Sequence, residues 1–192
     1  MKLILGSSSP RRRELLKNYG LIFKVIHPNT QEIPSKGETP TQFVSRAAKD
    51  KVNSILKKIK HTDEHVIISA DTIVVLKRKI FGKPQDEKDA FRMLRLLQNK
   101  WHTVYTAFCI YFKNRTITRV VKTSVRFRKL SNNEIKDYIK SGEPMDKAGA
   151  YAAQGIGATI IKEIRGSYTN VVGLPMAELI EELKKLKIHP KF

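Results

Sequence analysis

Residues 3–16 read LILGSSSPRRRELL, and this stretch joins a buried strand to a helix through a turn of small residues. The apolar run ends at Gly6, after which Ser9 is a good N-cap and Pro10 a good first helical residue. A helix start that follows a strand and a small-residue turn leaves unpaired N–H groups, which form an anion site of the general phosphate-binding kind. The stretch therefore predicts an α/β protein with an anion site near its first helix.

Three consecutive arginines stand in the first turn of this helix, where the helix dipole favours acidic residues. In one interpretation they point to solvent, with Arg11 paired to Glu14 three residues later. In the other, their guanidinium groups bind phosphate oxygens beside the helix start. A helix cannot turn three consecutive side chains toward one ligand, so we expect Arg11 and Arg12 to meet the anion and Arg13 to face solvent.

The chain is strongly basic, with 37 Lys and Arg against 18 Asp and Glu and a formal charge of +19 over 192 residues. That length fits a single domain with a substantial core. The charge is explained either by a lysine-rich background composition or by a field that attracts anions, including nucleic acid and small phosphorylated substrates. We find no recognised nucleic-acid-binding module, so no specific nucleic-acid partner is expected.

Cysteine usage and hydropathy predict a cytoplasmic protein. Cys109 is the single cysteine and lies in an apolar stretch, so no intrachain disulfide can form, which fits a reducing compartment. The apolar run at the start is too short for a signal peptide, and no stretch approaches the ~20 apolar residues of a membrane span.

The pattern along the chain alternates strands and helices. Predicted strands are KLILG, LIFKVI, VIISADTIVVLK, KIFGKP, HTVYTAFCIYF, TITRVVKTSVRFRKL and ATIIKEI, and predicted helices begin at Pro10, Pro40, Asp86, Ser131 and Pro175. The fifth and sixth strands predict an antiparallel hairpin. We expect a twisted sheet with both parallel and antiparallel pairing, flanking helices and a single domain over 1–192.

Asp71 lies within the apolar run from Val66 to Val75. An ionised carboxylate on a buried strand costs several kcal/mol unless it is paired, hydrogen-bonded or bound to metal. Three roles stay open for Asp71, namely metal ligand, general base, or structural partner of a buried arginine or N–H group. Lys83, in the GKP segment that follows, is placed to reach the same site.

Glu32 and Lys51 are candidates for the same site only if the fold brings them close to Asp71. Glu32 lies in a polar loop and matters only if the fold brings it near Asp71, because a magnesium ion that bridges phosphates needs just one or two carboxylates. Lys51 lies on the second helix and matters only if its face points into the site.

The segment HTDEH at His61–His65 matches a zinc-peptidase pattern that requires an α-helix. Here it falls between a helix end and a strand start, so we interpret it as a solvated loop. No CxxC pair, G-x-S-x-G elbow, GxGxxG or Walker motif is present, which removes support for the usual hydrolase, dehydrogenase and kinase interpretations.

Taken together, several blocks in the same order resemble the Maf family of nucleoside triphosphate pyrophosphatases, with a Maf/ITPase-like fold. The blocks that carry the resemblance are LILGSSSPRRRELL, Glu32, RAAKDKV around Lys51, SADTIVV, GKP, His102 and Thr106 in HTVYT, GEPMDKAGAYAAQG and GSYTNVVGLP. The resemblance implies two lobes around an active cleft and commonly a homodimer. It also implies metal-dependent hydrolysis between the α and β phosphates, with Mg²⁺ or Mn²⁺ as cofactor.

The resemblance also implies residue roles. Asp71 would be the catalytic base, with Glu32, Lys51 and Lys83 in the same site, and Glu32 and Asp71 would hold the metal. The positions Ser7, Arg11 and Arg12 would hold phosphates.

At three positions the residues are similar to those of the family branch that acts on dTTP and UTP, and they differ from those of the branch that acts on 7-methyl-GTP. They are Arg11, Thr72 and Gln154, of which the last two would read the base. The segment LLQNKWH departs from the family's usual Ser-Gly turn before the histidine. The alternatives are a pyrophosphatase for another or a modified base, a basic nucleic-acid-binding protein, and a regulatory protein that binds nucleotides without turnover.

Overall fold

The predicted strand and helix at the start of the chain form as β1 (Lys2–Gly6) and α1 (Pro10–Asn18) in a computed structural model that describes residues 2–190. Ser9 caps α1, and its side chain accepts the N–H of Arg12 at 3.5 Å. The helix ends where the N–H groups of Gly20 and Leu21 donate to carbonyls of the last turn.

Helices and strands continue to alternate along the chain. The further elements are β2 (Lys24–Val25), α2 (Pro40–Leu56), β3 (His65–Leu76), β4 (Lys79–Phe81), α3 (Glu87–Leu97), β5 (Trp101–Phe112), β6 (Arg115–Phe127), α4 (Asn132–Lys140), β7 (Ile161–Arg165), α5 (Tyr168–Val172) and α6 (Met176–Lys185). The predicted N-caps Asp86 and Ser131 are confirmed, and Ser131 forms a full capping box with Glu134.

Four strand predictions were wrong in extent. Of KIFGKP only Lys79–Phe81 forms a strand, and the strand predicted for TITRVVKTSVRFRKL ends at Phe127. Of LIFKVI only Lys24–Val25 pairs as a strand, because the N–H of Leu21 is used by the end of α1 and Ile22 is exposed to solvent. Of ATIIKEI the first residues lie in a 3₁₀ helix, Gly155–Ile160, in which the Thr159 hydroxyl donates to the Ile156 carbonyl. The short helix α5 was not predicted.

The described strands form a mixed sheet in the order β2-β1-β3-β5-β6-β7, with β4 on β3. Strand β1 pairs in parallel with β2 and β3, whereas the β3–β4 and β6–β7 pairs are antiparallel. The predicted mixed α/β fold is therefore confirmed. The β1–β3 register pairs Gly6, the last residue of β1, with Ser69, so Asp71 lies in the part of β3 just beyond the end of β1.

The chain divides into two compact units, each with its own core. The first unit runs to Asp71 and includes Thr106–Val121 and the segment from Gly173 onward, and its core contains Leu5, Leu16, Ile68, Phe108, Ile110 and Leu179. The second comprises Thr72–Tyr105 and Lys122–Val172, and its core contains Phe81, Leu94, Leu97, Val125, Phe127 and Ile135. Within the described residues no helix has the length and apolar character needed to cross a membrane.

The core position that fixes α1 is Leu16, which is fully buried in the first unit. We expect Leu16→Ala to lower the free energy of unfolding by about 2–5 kcal/mol, because it removes transfer energy and leaves a cavity. Urea denaturation measures this loss. As the control, Ile22→Ala, at a side chain that is 72% exposed, should change stability by less than about 0.5 kcal/mol. Equal losses in both variants would contradict the packing of α1 described above.

Candidate active site

The centre of the candidate site is the buried ammonium group of Lys51 on α2. Its Nζ lies 2.7 Å from Asp71 Oδ1 and 2.6 Å from Glu32 Oε1, and it donates to the Ala70 carbonyl at 3.2 Å. Lys51 is 5% exposed and Asp71 3%, so this ion pair is shielded from water. The sequence made Glu32 and Lys51 site candidates only if the fold placed them near Asp71. The structure shows that all three residues lie together.

The environment of Asp71 disfavours its ionised form. Burial raises the pKa of Asp71, and the neighbouring charge of Glu32 raises it further. The ammonium of Lys51 and the guanidinium of Arg12 lower the pKa, but burial is the largest cause and the net direction is upward. A carboxylate with a raised pKa is a stronger base than an ordinary aspartate.

The loop that carries Glu32 is anchored to α2 at its start. The N–H of Asn29 donates to Ser54 Oγ at 2.8 Å, and Lys58 Nζ donates to the His27 carbonyl at 2.7 Å. Ser54 lies on the helix that also carries Lys51, and Lys58 lies in the turn that follows this helix. The local fold therefore sets the distance between Glu32 and the ammonium.

Arg46 anchors the same loop beyond Glu32, and the sequence analysis did not identify it. Its guanidinium makes a bidentate pair with Glu38, at 2.7 Å and 2.8 Å, and donates to the Ile33 carbonyl at 3.0 Å. The hydrogen bonds from Arg46 lower the pKa of Glu38 to about 2. Since Ile33 follows Glu32 directly, the pair holds the backbone at the candidate ligand. The only signal in the sequence was an arginine on the α2 face near a loop glutamate.

Arg12 is buried, which the sequence analysis did not predict. Its Nε donates to the Gly173 carbonyl and its Nη1 to the Ala70 carbonyl, both at 2.8 Å, and Nη1 lies 3.3 Å from Ser7 Oγ. Burial lowers the pKa of the Arg12 guanidinium. Arg12 therefore connects α1 to the residue before Asp71, and a role in holding phosphate remains a prediction for Arg12 and Ser7.

The other predicted residues at the helix start differ in their exposure to solvent. Arg11 is half-buried, whereas Arg13 is exposed to solvent, as predicted. Ser7 is buried, and its hydroxyl accepts the N–H of Ser9 at 3.1 Å. The turn between β1 and α1 is thus stabilised by a hydrogen bond between its own residues.

Three predicted site residues belong to the second unit. Thr72 follows Asp71 in β3 and is half-buried, Lys83 is exposed in the loop after β4, and Gln154 is half-buried in extended backbone before a 3₁₀ helix. In this unit the N–H of Gly149 donates to the Gly82 carbonyl at 2.9 Å, which joins the loop of Lys83 to the segment that leads to Gln154. Their participation in catalysis or substrate binding stays a prediction.

The donor set fits a divalent cation held jointly by the protein and a phosphate. Within residues 2–190 no group of three or more His, Cys, Asp or Glu side chains is placed to hold a metal ion. Glu32 and Asp71 nevertheless both contact one cationic group, the Lys51 ammonium. Two carboxylates suffice for Mg²⁺ when phosphates and water complete its coordination.

The HTDEH segment does not form the α-helix that the zinc-peptidase pattern requires. Thr62–Glu64 is a single 3₁₀ turn and His65 begins β3, so the two histidines do not share a face of an α-helix. His65 Nδ1 lies 3.0 Å from the His61 carbonyl.

His102, a residue of the family blocks, lies in the core of the second unit. Its Nε2 is 2.9 Å from the Tyr151 hydroxyl, and its ring packs edge-on against Phe127. Burial lowers the pKa of His102 to about 4, so the imidazole is neutral at physiological pH. This environment gives His102 a packing role.

The fold and site define an α/β protein whose polar cluster lies on a buried strand just beyond the end of its parallel neighbour, beside the start of a helix. The chain belongs to the Maf family, because the family model described as "Maf-like protein" matches residues 2–186.

Full-length relatives agree with this assignment. The chain is 46% identical to the dTTP/UTP pyrophosphatase of Thermoanaerobacter sp. (strain X514), over 96% of each chain. It is 44% identical to the protein of the same name from Aquifex aeolicus (strain VF5), over 98% of this chain and 97% of the relative. Among solved structures, the Staphylococcus aureus Ham1 protein is similar with a TM-score of 0.53 and 12% identity, over 97% of this chain and 100% of the other. That likeness supports the fold alone.

The anchoring by Arg46 predicts the mobility of the loop that carries Glu32. In Arg46→Ala, we expect the amides of residues 29–38 to exchange with deuterium about tenfold faster, because the bidentate pair and the bond to Ile33 are lost. Hydrogen-exchange mass spectrometry measures the change. The matched control is Arg92→Ala, which removes an exposed ion pair with Asp89 on α3. Unchanged exchange over 29–38 in Arg46→Ala would show that the loop is held by other contacts.

Proposed function

We propose that this protein is a nucleoside triphosphate pyrophosphatase that hydrolyses dTTP and UTP to the monophosphate and pyrophosphate. The observation that carries the proposal is the buried Lys51–Asp71 pair, with the exposed Glu32 on the same ammonium, beside the capped start of α1. Relatives that are 44% to 46% identical over nearly their full length are named dTTP/UTP pyrophosphatase, which supports the substrate. The enzyme is thus a hydrolase acting on acid anhydrides, and we propose that 1–192 is one catalytic domain.

Asp71 is the proposed general base. Hydrolysis needs a water activated for attack on the α phosphorus, and the oxygen bridging to the β phosphorus leaves with pyrophosphate. Asp71 takes the proton from this water, and its raised pKa strengthens it for that task. The ammonium of Lys51 keeps enough of the ionised form present and orients the carboxylate through Oδ1.

The start of α1 and several basic side chains are proposed to stabilise the negative charge of the phosphates. Helix α1 follows a turn that contains Ser7, and Arg11 and Arg12 lie in its first turn. Lys51 and Lys83 are the proposed further contacts. Preorganised donors of this kind stabilise the charge that develops on the leaving pyrophosphate.

Glu32 and Asp71 are the proposed ligands of Mg²⁺ or Mn²⁺, whose charge, when the ion is bound, offsets that of the pyrophosphate leaving group. The contact of both carboxylates with the Lys51 ammonium supports a place for positive charge there. Lys51 already donates to the Ala70 carbonyl, and its ammonium would also contact the phosphates.

Base recognition is assigned to Thr72 and Gln154, as in the family branch that acts on pyrimidine triphosphates. We also propose a cytoplasmic homodimer, on the basis of the family resemblance and of the single, buried Cys109. Sedimentation at micromolar concentration tests the dimer.

A substrate panel tests the proposed reaction. With Mg²⁺ or Mn²⁺ present, we expect pyrophosphate release from dTTP and UTP to exceed that from CTP, GTP and 7-methyl-GTP, and chelation of the metal to abolish it. The assay separates pyrophosphate from inorganic phosphate by chromatography. Preferred turnover of 7-methyl-GTP would instead assign the enzyme to the family branch that acts on that nucleotide. Tight binding without turnover of any triphosphate would make it a regulatory protein.

The assignment of the base predicts the effect of Asp71→Asn. We expect kcat for UTP to fall about 10²–10⁴-fold, the usual contribution of a general base. The folded protein raises the pKa of Asp71 and so favours a neutral side chain at this position, while Lys51 keeps Glu32 and the Ala70 carbonyl as partners. The unfolding temperature should therefore not fall.

The control for this variant is Asp137→Asn, which removes an exposed carboxylate paired with Lys140 on α4. It should retain wild-type kcat. If Asp71→Asn also retained wild-type turnover, Asp71 would not be the base.

A further inference from the structure

The carboxylate of Glu143 holds a stretch of backbone in the second unit. Glu143 begins the 3₁₀ helix Glu143–Asp146, which follows α4. Its Oε2 accepts the N–H of Ile156 at 3.0 Å, and its Oε1 accepts the N–H of Gly157 at 2.8 Å. A carboxylate that accepts two successive backbone N–H groups fixes the local chain direction, since both oxygens are used.

Tyr138 extends this arrangement to the other side of Gln154. Its hydroxyl donates to Glu143 Oε1 at 2.9 Å and accepts the N–H of Ala152 at 3.1 Å. The phenol ring is packed in the core of the second unit, so the hydroxyl cannot move far. The hydroxyl of Tyr168 also donates to the Ala153 carbonyl, at 3.3 Å. The backbone is thus fixed both before and after Gln154.

The two glycines beyond Gln154 allow this close approach. Gly155 has a φ of 65°, and a Cβ built there would collide with the Glu143 carboxylate. A Cβ on Gly157 would lie 2.5 Å from the Tyr138 hydroxyl. Side chains at these positions would push the carboxylate and the hydroxyl away from the backbone groups that they bind.

The geometry points to Glu143 as a positioning residue for base recognition, which acts by holding Gln154 in one conformation. This inference rests on the proposed function, because it assumes that Gln154 contacts the base. Glu143 contributes no group to the reaction, since its two oxygens bind Tyr138 and the loop backbone. Its carbonyl is also engaged, by Lys147 Nζ at 2.6 Å.

The consequence is a specific kinetic pattern. The base lies far from the α phosphorus along the nucleotide, so a contact to the base contributes equally to substrate and transition state. Loss of that contact raises KM and leaves kcat nearly unchanged. A purely structural defect would instead lower the amount of active enzyme, and with it the apparent kcat, for every substrate.

The test is a double-mutant cycle of Glu143→Gln and Gln154→Ala, measured as KM and kcat for UTP and CTP. Glu143→Gln replaces one acceptor oxygen by a donor and so breaks contacts with the loop. We expect KM for UTP to rise about tenfold, as for the loss of a hydrogen bond to a charged group, and the preference for UTP over CTP to shrink. In the Gln154→Ala background the same substitution should have no further effect on KM, because the two residues act as one unit.

Two further variants keep the result clear. Tyr138→Phe removes only the bridging hydroxyl and should raise KM in the same direction, which gives a second reading if Glu143→Gln folds poorly. Glu163→Gln, at an exposed pair with Arg165 in the same unit, should match the wild type.

The possible outcomes separate this inference from the proposed function. Wild-type KM and base preference in both Glu143→Gln and Tyr138→Phe would overturn the positioning role while leaving the enzyme a pyrophosphatase. Additive effects of Glu143→Gln and Gln154→Ala would also overturn it. A wild-type protein that hydrolyses no triphosphate would overturn both proposals.

Discussion

The buried ammonium of Lys51 is the charge on which the rest of the site depends. A buried ammonium is tolerated only while an opposite charge stays beside it, because without both Glu32 and Asp71 its charge would be uncompensated away from water. Three parts of the first unit serve this requirement. The helix α2 supplies Lys51, strand β3 places Asp71 just beyond its parallel pairing with β1, and the loop anchored by Arg46 brings in Glu32. The cluster is therefore a property of the local fold, already formed before a substrate arrives.

The distribution of positive charge also follows from the proposed chemistry. Basic residues at the start of α1 oppose the helix dipole, and the chain as a whole carries a formal charge of +19. In the proposed complex a triphosphate would reverse the sign of this local penalty, because the N–H groups at the helix start would then face an anion. Local rules are broken most often where function requires it. The field of the whole chain would in addition attract a small polyanion during encounter.

Local signals allowed much of the fold to be predicted, because caps and strand patterns act within a few residues. Ser9, Asp86 and Ser131 mark helix starts by chemistry that needs no distant partner. The site was less predictable. Glu32 and Asp71 meet only because a loop folds onto α2, and the anchors of that loop are ordinary surface residue types. The burial of Arg12 also depends on distant carbonyls, at Ala70 and Gly173, which no local spacing reveals.

The central claim is that burial makes Asp71 a strong base next to a fixed cation. The most direct measurement is a carbon-13 NMR titration of the aspartate carboxyl groups, in which the signal of Asp71 is assigned by its loss in Asp71→Asn. We expect Asp71 to titrate above the ordinary aspartate value of 3.8, and still higher when Lys51 is replaced by Met, since the ammonium lowers this pKa. A titration at or below the ordinary value would contradict the assignment of Asp71 as a base made by its surroundings.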